Sequence, residues 1–123
     1  MKHTKQNKSY DCGLACVACV TEESLDYVTK LAGDSLATRE GCGPELLWIL
    51  LSYLGVATRV LYRSNCDTWP PDTKKPFIAR VFTPAQHWIV IDGETAYDSE
   101  HDEPSKSDSY EIGNVILELY TQR

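Results

Sequence analysis

The sequence predicts an α+β domain in which N-terminal helices pack on a C-terminal antiparallel β-sheet. Three observations predict it. Helical patterning fills the first half and strand patterning the second, without the alternation that a parallel sheet needs. Asp92-Gly93, between two strand-like runs, is a strong signal for a two-residue hairpin. The 123 residues suffice for one packed core, whereas two halves would each be too small to hold their own. A single domain over 1–123 is therefore expected.

The elements follow in order. CGLACVACV at 12–20 is a run of small apolar residues that can start a helix at Cys12, with Asp11 near its N-terminus. Thr21 is placed to cap a second helix over 22–32, with Glu22 and Glu23 in the first turn and Gly33 at the end. Gly43-Pro44-Glu45 opens a third helix, PELLWILLSYL at 44–54, with proline at the first helical position and Gly55 closing it. That helix is apolar nearly all round, so it is expected to be buried. VATRVLY at 56–62, PFIARVF at 76–82, HWIVID at 87–92, TAYDS at 95–99 and NVILELY at 114–120 read as strands. Two polar loops, SNCDTWPPDTKK and SEHDEPSKSDS, lie among them.

Composition excludes several functions. The net charge is −6, and the only basic cluster is MKHTKQNK at 1–8, so no nucleic-acid partner is expected. The apolar run LACVACV is too short for a membrane span and follows Asp11 without a cleavage signal, so neither a secretory signal nor a span is expected. The expected location is the cytoplasm. The five cysteines, at 12, 16, 19, 42 and 66, are then expected as reduced thiols. Cys42 and Cys66 read as small packing residues.

Three of those cysteines crowd into one short run. Cys12-x3-Cys16-x2-Cys19 has the spacing of an iron–sulfur signature. On a helix, however, Cys12 and Cys19 would lie about 10 Å apart along the axis, at 1.5 Å per residue, too far for one cluster. A zinc site would need a second cysteine pair or histidine partners that this stretch lacks. No metal and no organic cofactor is expected. The remaining reading is one reactive thiol with bystanders. Cys12 as the first helical residue meets unpaired backbone N–H groups and the positive end of the dipole, which favour a negatively charged sulfur. Cys16 and Cys19 lie deeper, as core residues beside Ala15 and Val20.

A nucleophilic cysteine needs a base. His3 lies in the tail and His101 in an acidic loop, whereas His87 opens a strand. If Asp92-Gly93 forms the turn, Val90 faces Thr95, Ile89 faces Ala96 and His87 faces Asp98. A carboxylate then sits beside the imidazole, where it can orient the ring. Gln6 supplies an amide close in sequence to Cys12, and with the Cys12 backbone N–H it can hold an oxyanion.

The stretch Gln6-x5-Cys12 within QNKSYDCGLAC resembles the first motif of the bacteriocin-processing, double-glycine leader peptidases. HWIVIDG followed by YDS resembles their second motif, and the helix ending LLSYLG matches the layer between. These are papain-like cysteine peptidases, so the resemblance implies that fold, a peptide or protein substrate, and four roles. Cys12 would be the nucleophile, His87 the general base and acid, Asp98 the orienting residue and Gln6 the oxyanion donor. Two departures stand out. The family usually forms the N-terminal domain of a membrane ABC exporter, whereas this sequence has no span and no P-loop and is expected to stand alone. Asp98 is followed by Ser99, where the family has proline. The expected activity is hydrolysis of a peptide bond through a Cys12 thioester. The same residues would serve an acyltransferase, deamidase or isopeptidase, and a catalytically idle peptide-binding domain is the alternative outside enzymes. Substrate and oligomeric state are not readable from the sequence.

Overall fold

The structure is a computed structural model that describes residues 1–8, 11–33, 43–82 and 86–120. Cys42 falls outside them. Helix α1 spans Cys12–Thr21, and every residue of it is buried. A helix surrounded on all sides needs small apolar side chains, which is what the alanines, valines and cysteines of this run supply. It packs against α2 (Leu25–Ala32), α3 (Pro44–Tyr53) and the strand that carries His87.

Thr21 does not cap the second helix. It ends α1, and its Oγ1 donates to the Val17 carbonyl at 2.8 Å, so its hydroxyl is satisfied within the first helix. Glu22 closes α1 in the left-handed conformation (φ 62°). The cap is Ser24, whose Oγ accepts from Tyr27 N at 3.1 Å. Helix α3 is not buried all round either. Pro44, Leu46, Leu47, Leu50 and Leu51 face the core, while Trp48, Ile49 and Tyr53 are 46%, 53% and 71% exposed. The helical period divides even a uniformly apolar segment into an inner and an outer face.

The strands are β1 (Thr58–Tyr62), β2 (Phe77–Phe82), β3 (Gln86–Asp92), β4 (Thr95–Tyr97), β5 (Ser105–Lys106) and β6 (Ile112–Leu119). They form one antiparallel sheet in the order β1-β6-β2-β3-β4-β5. The short β5 lies within the stretch expected to be loop. Ile78, Trp88, Val90, Val115, Leu117 and Leu119 point at the helices. Ala79, Val81, Ile89, Ile91, Ala96 and Ile116 point the other way, under Trp69 and Tyr110. The expected architecture, helices first and an antiparallel sheet second, is the one observed.

Two irregularities shape the sheet. β6 bulges against β2, where pairing shifts between Ala79↔Ile116 and Val81↔Ile112. Gly113 lies in that bulge, and a Cβ there would meet the Arg80 carbonyl oxygen at 2.7 Å. The second irregularity corrects the expected hairpin register. Asp92 pairs with Thr95, Ile91 with Ala96 and Val90 with Tyr97. The turn residues are therefore Gly93 and Glu94, not Asp92 and Gly93. Gly93 has φ 62° and Glu94 does not have positive φ, which is the glycine-first form of a two-residue turn. The strands slip by one residue each, so the faces are kept while the partners change.

Candidate active site

Continuing the observed register beyond Tyr97 would set Glu100 opposite His87 and make Asp98 its diagonal neighbour. β4 ends at Tyr97, and the chain turns at Asp98, with His101 N donating to the Asp98 carbonyl at 3.0 Å. The turn brings Asp98 to the ring. His87 Nε2 donates to Asp98 Oδ1 at 2.6 Å, and the two side chains are only 4% and 2% exposed. The expected partner is thus correct, but by a diagonal contact rather than direct opposition. Glu100 Oε1 lies 3.7 Å from His87 Nδ1.

Cys12 lies close enough to the His87 ring to help hold it charged. With Nε2 committed to Asp98, Nδ1 is the nitrogen that faces the sulfur. Cys12 is the first residue of α1, at the helix terminus whose N–H groups lack intrahelical partners. Asp11, just before it, makes no side-chain cap to the helix. Its Oδ2 accepts instead from Lys8 N at 3.0 Å, and its N–H donates to the Lys8 carbonyl at 3.1 Å. Lys8 is thereby tied to the residue that precedes α1.

Asp98 is heavily solvated by protein. Besides His87, Tyr110 OH donates to Oδ2 at 2.6 Å and Glu100 N to Oδ1 at 3.0 Å, with His101 Nε2 at 3.4 Å from Oδ2. Burial alone would raise its pKa, but the bonds from His87, Tyr110 and Glu100 outweigh it and hold the carboxyl at about 2. Burial alone would lower His87, but the bonds and charges of Asp98 and Cys12 hold the imidazolium up at about 10. Tyr110 is pushed up to about 12, first by burial and then by its bond to the carboxylate. The charged forms of the His87–Asp98 pair are therefore the stable ones at neutral pH.

Gln6 is attached to the same turn. Its backbone N–H donates to the Ser99 carbonyl at 2.9 Å, and its Oε1 accepts from Ser99 Oγ at 2.6 Å. Its Nε2 donates to the Lys8 carbonyl at 2.8 Å.

Among the described residues, the other cysteines do not converge on this site. Cys16 and Cys19 follow Cys12 along one helix, each 2% exposed, and none of Cys12, Cys16, Cys19 and Cys66 forms a disulfide among the described residues. Burial pushes the Cys19 thiol up to about 12. Among the described residues, His87, Asp98 and Glu100 have potential ligand atoms within 4.8 Å of one another. His87 and Asp98 are bonded to each other through Nε2, and the half-exposed Glu100 lies 3.7 Å from His87 Nδ1.

Tyr110 and Ser99 were not foreseen as site residues, whereas the acidic loop at Glu100 to Glu103 is where a different hairpin register would place the carboxylate partner. Tyr110 lies between the acidic loop and the last strand-like run. A lone aromatic at the edge of a polar segment is its one sequence signal. Ser99 stood out only as the residue where proline was expected.

A thiol at a helix N-terminus, beside an antiparallel sheet that carries a buried imidazole–carboxylate pair, is the arrangement expected of a papain-like cysteine peptidase. The chain belongs to the Peptidase C39 family, whose family model matches residues 1–108. It is 35% identical over 60 residues, 48% of its length, to the prophage-derived sublancin-168-processing and transport ATP-binding protein SunT of Bacillus subtilis strain 168. The match spans only 8% of that protein's length. Among solved structures it resembles the peptidase domain of Streptococcus mutans ComA, with TM-score 0.67 and 19% identity over 98% of this chain and all of that one. It also resembles a double glycine motif protease from an AMS/PCAT transporter, solved with its leader peptide, with TM-score 0.65 and 18% identity over 94% and 87% of the two chains. At these identities the structural matches establish the shared fold.

Proposed function

We propose that this chain, acting as a single domain, cleaves a leader peptide after a double-glycine motif through a Cys12 thioester. One observation carries the reading: the buried His87 is bonded to Asp98, and Cys12 at the start of α1 lies close enough to the same ring to help hold it charged. The double-glycine substrate is suggested by the relatives, one a sublancin-168-processing protein and one a double glycine motif protease solved in complex with the leader peptide.

The chemistry follows from the geometry. Cys12 Sγ attacks the carbonyl carbon while His87 holds the proton at Nδ1 and then delivers it to the leaving amine. Asp98 keeps Nε2–H pointed at itself, which leaves Nδ1 for the sulfur and stabilises the imidazolium. Water, deprotonated by the now neutral His87, hydrolyses the thioester. Gln6 Nε2 has two hydrogens and gives one to Lys8, so the second remains for the oxyanion, alongside the Cys12 backbone N–H. The reaction requires a reduced Cys12, which suits a reducing compartment such as the cytoplasm.

A peptide with Gly-Gly before the scissile bond should be cut, and a stalled acyl adduct should map to Cys12 by mass spectrometry. Cys12→Ala should abolish both. Iodoacetamide at pH 6 should label Cys12 well before Cys16 or Cys19, which are buried away from the imidazole. Cleavage that survives Cys12→Ala, or uniform slow labelling of the thiols, would refute the assignment. Transfer of the acyl group to an added amine in preference to water would instead identify an acyltransferase with the same site.

A further inference from the structure

We propose that Ser99 is a positioning residue that locks the Gln6 amide in its donating orientation, an inference that rests on the oxyanion role of Gln6 proposed above. A glutamine amide has two ends of similar shape and opposite polarity. Only the NH2 end stabilises an oxyanion; the carbonyl end would repel it.

Two contacts decide which end is presented. The Lys8 carbonyl can only accept, so the amide nitrogen belongs on its side, at 2.8 Å. Ser99 Oγ meets the other end and donates to Oε1 at 2.6 Å. Ser99 is 4% exposed, so little water is available to replace its hydroxyl if it is removed. The backbone bond from Gln6 N to the Ser99 carbonyl holds the main chain independently at 2.9 Å. Loss of the hydroxyl therefore frees the amide while leaving its backbone in place.

The consequence is a shared support. Asp98 orients the imidazole, and the next residue orients the oxyanion donor. From Ser99 the bonds run through Gln6 and Lys8 to Asp11, the residue before Cys12. One turn thus fixes the base and the electrophilic donor relative to the nucleophile.

The test compares two reactions of Cys12. Acylation by p-nitrophenyl acetate passes through an oxyanion, whereas alkylation by iodoacetamide does not. Neither requires recognition of a peptide, so failure of the double-glycine reading would not obscure the result. In Ser99→Ala, acylation should slow about 3- to 10-fold, as expected for loss of one neutral hydrogen bond, with alkylation unchanged. Ser99→Thr, which keeps the hydroxyl, should restore most of the rate. Gln6→Ala should slow acylation by about 10²-fold or more. In the Gln6→Ala background, Ser99→Ala should then add nothing, because the residue acts only through the amide. An equal effect of Ser99→Ala in both backgrounds, or a parallel loss of alkylation, would show that Ser99 supports Asp98 or the fold and would overturn the inference. Full acylation by Ser99→Ala while Gln6→Ala is impaired would overturn it too. Full acylation by Gln6→Ala would remove the oxyanion role itself, and the inference with it.

Discussion

Asp98→Asn isolates the charge of the orienting carboxylate. The amide keeps the shape, but His87 loses the anion that holds it charged. His87 titrates at about 10 in the fold against an ordinary 6.5. That gap corresponds to roughly 5 kcal/mol of preference for the charged ring, at about 1.4 kcal/mol per pH unit. Asp98 and Cys12 supply it together against the opposing pull of burial. If half or more of it is lost in the transition state, kcat/KM falls by roughly 10²–10³. Glu100, half exposed at 3.7 Å from Nδ1, is screened by solvent and replaces little of this.

The same substitution has a stability signature. His87 is raised in the fold, so its contribution is full below 6.5 and lost as the pH climbs through about 10. Asp98 is depressed, so its contribution is full above 3.8 and lost as the pH falls toward about 2. Urea unfolding of the wild type should therefore weaken on both flanks, and Asp98→Asn should flatten both. Iodoacetamide alkylation at pH 6 should slow in parallel with cleavage. A variant within about threefold of wild-type kcat/KM, with both flanks intact, would refute the reasoning.

Two further predictions concern residues around the site. Tyr110→Phe keeps the ring and removes the 2.6 Å bond to Asp98 Oδ2. Urea unfolding should show a loss of about 1.5–3 kcal/mol, and the acid flank should move to higher pH because Asp98 loses a donor. Gly113→Ala forces a Cβ to within 2.7 Å of the Arg80 carbonyl oxygen, a backbone atom that cannot swing aside. It should cost about 1–3 kcal/mol by denaturation, while Cys12 alkylation in the folded fraction stays at the wild-type rate.

The legible parts of this molecule were those with local causes. Pro44 at the start of α3 and the β-branched alternation of the strands announce themselves within a few residues. So does Cys12 at the start of α1. The hairpin register was harder, because Asp-Gly names a turn without saying which residue takes positive φ. The structure gives it to Gly93 alone, and the ladder slips. His87 still meets Asp98 because a slip of one residue on each strand preserves the face. Tyr110 and Ser99 were not legible as site residues. Each acts on a neighbour fixed by tertiary contact, Tyr110 on Asp98 and Ser99 on Gln6, and no periodicity encodes that. The outward face of α3 was missed for another reason: a segment apolar at nearly every position hides its own period.

The strand order has a consequence for timing. β6 lies between β1 and β2, so until residues 112–119 are available those two strands have no common neighbour. The reactive groups are equally dispersed along the chain: residue 12 carries the thiol, 87 the ring, 98 the carboxylate, and 110 the hydroxyl that steadies it. A polypeptide emerging from the ribosome presents Cys12 early, but the ring and the carboxylate follow only with residues 87 and 98. On the proposed assignment, activation of Cys12 therefore waits for the folding of the sheet that carries its partners.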